Sequence, residues 1–477
     1  MLSTHILAVG IPCIIALVAA LRLTRRRVYP LPLPPGPRPL PFLGNALQLD
    51  SERPWLTYTA WGKTYGKIIH SRVLGIDFIT INSETIAREL LDKRSAIYSD
   101  RPVIRTNELS GLYFNTLLLP YGEALRRQRK IFHQVFRAEV SILYHDICSR
   151  YANELVINLL NATSDLQEET QAYTASLIMA VTYGRDTRGN GDSLLARANE
   201  LLDIGRHVIS PEKAAIFTAF PFLEKLPVWC FSGAFALMER SRELAQQLLN
   251  EPFNEVKAQM ANGTASHSVV ADFLSQADGN ADEETMKEIA LMAYMGGIDT
   301  TTSALRTFLL AMLLYPDVQA RARAEINQVV GHDKMPCLDD RPSLPYLSAI
   351  LREVLRWYPP APLGSEWYMR HQMMIFTTGA VIVGNQWAMS RDEDTYPDAS
   401  RFDPSRHLTV DGQLTDPFAN LFVFGHGRRV CPGRWFAENT LWTAAAAVLA
   451  VLHVDHAKDS NGDRIEVKPE YTTGRAM

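Results

Sequence analysis

From residue 55 to residue 451 the chain repeats one pattern, apolar side chains at helical spacing, and no linker after Pro41 divides it. Runs at 84–92, 123–134, 141–160, 193–207, 238–260, 284–315, 316–330, 347–357 and 433–451 carry this periodicity, the signature of helices with buried faces. Two patches break it. Residues 67–73 and 77–82 flank Leu74-Gly75-Ile76 and predict a hairpin, and 373–383 is a second strand-rich stretch. With no internal repeat, the expectation is one large, mainly α domain with a minor β-sheet. The chain is 47% hydrophobic and 21% charged, which supplies a core and excludes a disordered or polytopic membrane protein.

The N-terminus is organised differently. Residues 1–21 carry no formal charge apart from what His5 can take up, and 6–21 is an unbroken apolar or small run. A spanning helix needs roughly 20 such residues. Positive charge lies after the run, at Arg22, Arg25, Arg26 and Arg27, whereas a cleaved signal peptide would carry it in front. Residues 1–29 are therefore expected to be a signal-anchor transmembrane helix with a basic flank that keeps the downstream chain in the cytosol. Residues 30–44, opening with Pro30-Leu-Pro-Leu-Pro-Pro-Gly-Pro37, form a stiff hinge, because proline fixes φ and cannot continue a helix. The catalytic domain is expected over 45–477. Asn161 and Asn262 match glycosylation sequons that a cytosolic domain would leave unmodified.

Lys and Arg number 48 against 52 Asp and Glu, a net charge of −4 that offers nucleic acid no bulk field. Cys13, Cys148, Cys230, Cys337 and Cys431 are odd in number and widely spaced, so neither a disulfide framework nor a zinc site is expected. A cysteine that matters will act alone. Cys431 is the candidate, in Phe424-Gly-His-Gly-Arg-Arg-Val-Cys-Pro-Gly433, directly before an alanine-rich helix. Adjacent Arg428 and Arg429 and a helix N-terminus favour thiolate over thiol. Gly427 and Gly433 permit a close approach that a Cβ would block.

This decapeptide resembles the haem-binding loop of the cytochrome P-450 family, with Phe424, Gly427, Arg429, Cys431 and Gly433 at the anchor positions. The resemblance implies that Cys431 is the axial ligand of the iron of haem b and that the other four hold the cofactor. Three further segments occur in family order. Glu353-Val-Leu-Arg356, with Arg406 of Phe402-Asp-Pro-Ser-Arg406, is similar to the family's buried Glu–Arg–Arg network, although His407 stands where an aromatic residue is usual. Gly296-Gly-Ile-Asp-Thr-Thr301 breaks helix propensity within a helical run and resembles the distal helix, which assigns Asp299 and Thr300 to proton delivery. In Tyr121-Gly-Glu-Ala-Leu-Arg-Arg-Gln-Arg129, Arg129 keeps a haem-propionate position while Leu125 replaces a tryptophan donor.

Taken whole, the chain looks like a microsomal-type member, most like fungal enzymes of secondary metabolism and xenobiotic oxidation. That implies a haem-thiolate monooxygenase of the endoplasmic reticulum membrane, inserting one atom of O2 into a hydrophobic aromatic, polycyclic or terpenoid molecule. Electrons would come from NADPH through a reductase, met by a basic cluster of Arg126, Arg127, Arg129, Lys130, Arg428, Arg429 and Arg434. Segments 104–119, 201–231, 292–297 and 361–363 are expected to line the substrate site. Two competing readings remain at this level: a haem-thiolate isomerase or dehydratase, and a truncated non-catalytic member. The second is motivated by 365–379, short and without the usual turn before Gly379, and by an end at Met477 where relatives continue into a hairpin.

Overall fold

The computed structural model describes residues 32–101, 105–161, 165–186, 193–208, 233–276, 282–364, 367–368, 380–415, 421–467 and 469–471. The expected anchor at 1–29 lies outside them, and no helix among those described is long and apolar enough to cross a membrane. Most of 365–379 and the last six residues also lie outside.

The longer helices are α1 (Pro54–Tyr65), α2 (Glu123–Phe136), α3 (His145–Leu160), α4 (Leu166–Tyr183), α5 (Ser193–Val208), α6 (Ala234–Ala261), α7 (Val269–Gln276), α8 (Glu283–Leu314), α9 (Pro316–Val329), α10 (Pro345–Trp357) and α11 (Arg434–Val451). α8 is the axis of the core: Ile289, Leu305, Phe308 and Met312 are fully buried, and the helix packs on α2, α4, α10 and α11. The periodicity did not predict α4. Tyr173, Leu177, Ile178, Met179, Ala180 and Val181 are all buried, so the helix is enclosed nearly all round and has no polar stripe to reveal a period. The run predicted as one helix at 84–92 is four α-helical residues, Glu84–Ala87, followed by a π-helical turn, Arg88–Asp92.

The sheet has the order β1 (Ile68–Val73), β2 (Ile76–Ile81), β4 (Val381–Gly384), β3 (Trp367–Tyr368). β1 and β2 form the expected hairpin, with Leu74 and Gly75 both at positive φ in a two-residue turn. β2 and β4 pair in parallel, which ties the two ends of the domain together. The proline-rich hinge is laid against this sheet: the His70 amide donates to the Pro35 carbonyl at 3.0 Å. Asn45 fixes its end, accepting from the Arg72 amide at 2.8 Å and donating to the Pro37 and Arg38 carbonyls.

Asp77 locks the hairpin from below. It is fully buried, accepts from Arg72 Nε at 2.8 Å and lies 3.1 Å from His70 Nε2. Burial alone would raise its carboxyl, but His70 and Arg72 outweigh that and hold it well below the usual carboxylate range. A depressed carboxyl stabilises the fold above its unfolded pKa, and that stability is lost as the pH falls. Asp77→Asn should therefore cost about 2 kcal/mol in urea unfolding at pH 7. The gap from the parent should shrink as the pH is taken down below about 4.

Candidate active site

The Cys431 loop is shaped by its own backbone. A 3₁₀ turn, Leu421–Phe424, leads into Gly425 at φ +83°, and Gly427 comes next at φ +52°. The Cys431 amide then donates to the Phe424 carbonyl at 2.7 Å, closing the loop on itself. Gly427 meets protein: a Cβ there would lie 2.2 Å from the Leu91 carbonyl oxygen, so the loop rests directly on the π-turn. Asp92 of that turn accepts from the Gly427 amide at 2.6 Å and faces His426 Nδ1 at 3.2 Å. A Cβ at Gly433 would meet nothing within 4 Å.

Cys431 is half-buried at the start of α11. Burial pushes its thiol up, while the Gly433 amide and the Arg129 and Arg434 guanidinium groups favour the thiolate. Its two neighbours in sequence do other things. Arg428 lies over the Tyr121 ring, 5.2 Å from its centre. Arg429 reaches back to a loop before α2, donating to the Ser99 and Leu119 carbonyls at 2.8 Å each. Arg101, which sequence reasoning did not select, holds the same loop from inside: it is buried and donates to the Leu117 carbonyl at 2.8 Å.

Arg129 projects from α2 and donates to the Val430 carbonyl at 2.6 Å, which sets it beside Cys431. Burial lowers its pKa, opposed by the cysteine and reinforced by Arg434. Burial likewise pushes Arg429 down to about 10, with Arg129 adding to the effect and Asp100 opposing it. Neither guanidinium has a carboxylate ion-pair partner among the described residues, which is unusual for half-buried cations. A thiol and two guanidinium groups without carboxylate partners form a donor set suited to a metal macrocycle that carries its own carboxylates. The residues present fit haem. Leu125 is 1% exposed and packs into the core, so the position lost as a donor serves as an apolar contact instead.

On α8, Gly296 and Thr300 lie one turn apart on an exposed face, and the Thr300 hydroxyl donates back to the Gly296 carbonyl at 2.8 Å. The two glycines differ in purpose. A Cβ at 296 would meet nothing within 4 Å, whereas one at 297 would sit 3.1 Å from Ile178 of α4. Gly297 thus permits the close helix contact that Thr302 and Thr174 secure with a buried hydrogen bond of 2.6 Å. Half-buried Asp299 lies in the field of Arg306, whose Nε is tied to Thr170 of α4 at 2.9 Å.

Glu353 and Arg356 of α10 are both fully buried and joined by two bonds of 2.7 Å. Arg356 also donates to the carbonyls of Ser390 and Ala399. Glu353 accepts from the Asp403 amide at 2.9 Å and lies 2.9 Å from Nε2 of His407, which is 2% exposed. Arg406 stands further off, its Nε 3.4 Å from Glu353 Oε1, with the rest of its guanidinium on the Pro397 and Asp398 carbonyls. His407 therefore makes the closer contact with the carboxylate. The signal was visible in the sequence as a polar side chain in an aromatic position. Burial alone would raise the Glu353 carboxyl; Arg356 and His407 outweigh it and hold it low.

His407→Phe should leave one carboxylate oxygen a donor short and cost about 1–3 kcal/mol, while His407→Gln keeps a donor and costs less. Glu353→Gln strands the buried Arg356 and should cost about 3–5 kcal/mol. Urea unfolding midpoints of the three variants check this order.

A family model described as cytochrome P450 matches residues 34–473. Cytochrome P450 monooxygenase 105 of Postia placenta is 35% identical, the match covering 98% of this chain and 92% of the relative. Cytochrome P450 monooxygenase COX1 of Coprinopsis cinerea is 32% identical over 97% of this chain and 93% of the relative. Cytochrome P450 monooxygenase ple1 of Rhodocybe pseudopiperita is 35% identical over 92% and 86%.

Proposed function

Since the chain belongs to the cytochrome P450 family and is a monooxygenase of it, we propose that it oxygenates a hydrophobic small molecule with electrons from an NADPH-dependent reductase. The observation that carries the site assignment is that Arg129, bonded to the Val430 carbonyl, lies beside the Cys431 thiol with Arg429 next to it, two half-buried guanidinium groups that lack carboxylate ion-pair partners among the described residues. Haem, when bound, supplies dioxygen activation, which a thiolate ligand promotes. The protein's part is binding, orientation and proton supply.

Cys431 provides the metal ligand, with the Gly433 amide and the Arg129 and Arg434 cations favouring its anionic form. Arg129 neutralises propionate charge. Phe424, Gly427, Arg429 and Gly433 shape the cradle: Arg429 fastens the loop that carries Leu119, and the bare face at Gly433 leaves room for a flat ligand. On α8, Gly296 leaves open space beside the Thr300 hydroxyl. Thr300 holds a proton-donating hydroxyl there, recharged from Asp299 beside it on the helix. Glu353, Arg356 and Arg406 act at a distance by fixing the chain that leads to the cysteine loop.

The apolar run at 6–21 and the arginines after it support a single-pass anchor in the endoplasmic reticulum membrane, with the catalytic domain in the cytosol. The exposed cations Arg126, Arg127, Lys130 and Arg428 support an acidic reductase surface as the docking partner. The composition of the lining segments supports an apolar substrate; residue 104 and residues 209–231 lie outside the described residues.

The reduced, carbon-monoxide-bound protein should show the red-shifted Soret band of a thiolate ligand, and Cys431→Ser should lack it. With reductase and a panel of apolar compounds, Thr300→Ala should keep consuming NADPH while product per NADPH falls about tenfold or more. Fully coupled turnover by that variant would remove Thr300 from the proton path. Product formation without O2 consumption would instead identify an isomerase or dehydratase.

A further inference from the structure

Next to Arg129 on α2, Gln128 is 2% exposed and commits its whole amide to other elements. Its Nε2 donates to the Phe114 carbonyl at 3.0 Å and to Glu288 Oε2 of α8 at 2.9 Å, and its Oε1 accepts from the Thr116 hydroxyl. The orientation is forced. A carbonyl and a carboxylate only accept, so both must face the NH2 group, and the hydroxyl donates to the oxygen that is left. An amide buried this deeply is tolerated because each of these bonds is made.

Three parts of the site meet at this side chain: the segment 112–119, the helix that carries Arg129, and the helix that carries Gly296 and Thr300. The segment is tied elsewhere as well. Ser241 and Arg242 of α6 donate to the Ser110 and Leu109 carbonyls at 3.0 and 2.6 Å, and Arg101 and Arg429 hold Leu117 and Leu119. The tie through Gln128 differs in its destination, because it continues to α8. With Phe114 and Thr116 drawn inward, Tyr113 and Leu117 stay 52% and 50% exposed, so the clasp also fixes which side chains the segment turns out.

Glu288 is a suitable anchor. It is half-buried, and burial pushes its carboxyl up; Gln128 opposes this, and Asp282 and Glu284 add to the rise. A desolvated carboxylate needs a donor, and Gln128 supplies one. Glu288, Met292 and Gly296 follow one another at four-residue steps, so neighbouring positions on α8 lead from the clasp to the open space at 296, about 12 Å along the axis.

We propose that Gln128 is a specificity-determining positioning residue: by clasping Phe114 and Thr116 to Glu288, it sets the width of the substrate site between 112–119 and α8. The proposal rests on the reading that these elements wall a substrate site over haem.

The test titrates the haem-loaded protein with imidazole, which reaches the iron without filling the site, and with clotrimazole, which carries three aryl rings on the same donor. Both are read from the Soret shift of nitrogen ligation, and the quantity of interest is the ratio of their Kd values. Gln128→Met, similar in size but unable to make these bonds, should keep the thiolate-type carbon-monoxide band and an imidazole Kd within about twofold of the parent. With the clasp released the site widens, and clotrimazole should bind about tenfold more tightly relative to imidazole. Glu288→Gln keeps an acceptor for the Gln128 amide and should hold the ratio within about twofold of the parent.

An unchanged or lowered clotrimazole preference in Gln128→Met, with the carbon-monoxide band and imidazole Kd intact, overturns the proposal and leaves the haem site standing. A change in Glu288→Gln as large as in Gln128→Met assigns the effect to the charge of Glu288, which also overturns it. Should Gln128→Met fail to hold haem, Thr116→Val and Glu288→Leu each remove one tie, and a ratio that rises in neither overturns the clasp. A parent protein without the thiolate band overturns the site reading and the clasp with it.

Discussion

The Glu353 carboxylate is the point from which the order of the site propagates. One oxygen accepts from Arg356 and the Asp403 amide, and the other from Arg356 with His407 beside it. A buried ion pair contributes little net stability, because desolvation offsets most of the attraction. Its value here is geometric. Every donor on this carboxylate comes either from α10 or from 403–407, and Arg356 extends the grip to the Ser390 and Ala399 carbonyls. From residue 386 the Gln386 side chain passes the constraint on to the Phe422 carbonyl, two residues before the loop that presents Cys431.

At the other end of the site the electrostatics are deliberately incomplete. Arg129 and Arg429 are desolvated beside one another, and the protein offers them carbonyl oxygens in place of an anion. Carbonyl dipoles satisfy hydrogen bonds but do not neutralise two full charges. Binding of an anionic cofactor at these arginines would remove that imbalance and would link cofactor affinity to fold stability. Arg429 also fastens the chain at Ser99 and Leu119, and 104–119 is expected to line the substrate site. On that reading cofactor retention and pocket shape would share one residue, Arg429.

Much of this was legible in the sequence, for identifiable reasons. The cysteine decapeptide and the Glu353–Arg356 spacing are local patterns whose meaning survives without coordinates. Amphipathic helices declared themselves by period. α4 did not, because a helix buried on every side has no stripe. The purpose of Gly427 was also hidden, since only the folded chain brings the Leu91 carbonyl against it. His407 was visible as an anomaly, but its partner lies 54 residues away, and no local rule connects the two. The separate uses of Gly296 and Gly297 come from helix facing, which adjacent residues in a sequence do not reveal.

The π-turn at Arg88–Asp92 has an evolutionary consequence. A turn of this kind holds one residue more than an α-helix accommodates. It is here that Asp92 is aimed at the Gly427 amide and that the Leu91 carbonyl meets the loop. Deleting a single codon in this stretch would restore regular helix and swing the next side chain by about 100° around the axis. The carboxylate would then point away from the cysteine loop. Length in this short segment is therefore under stricter constraint than identity, and lineages that keep the contact should tolerate substitutions at Arg88 or Glu89 far better than an indel.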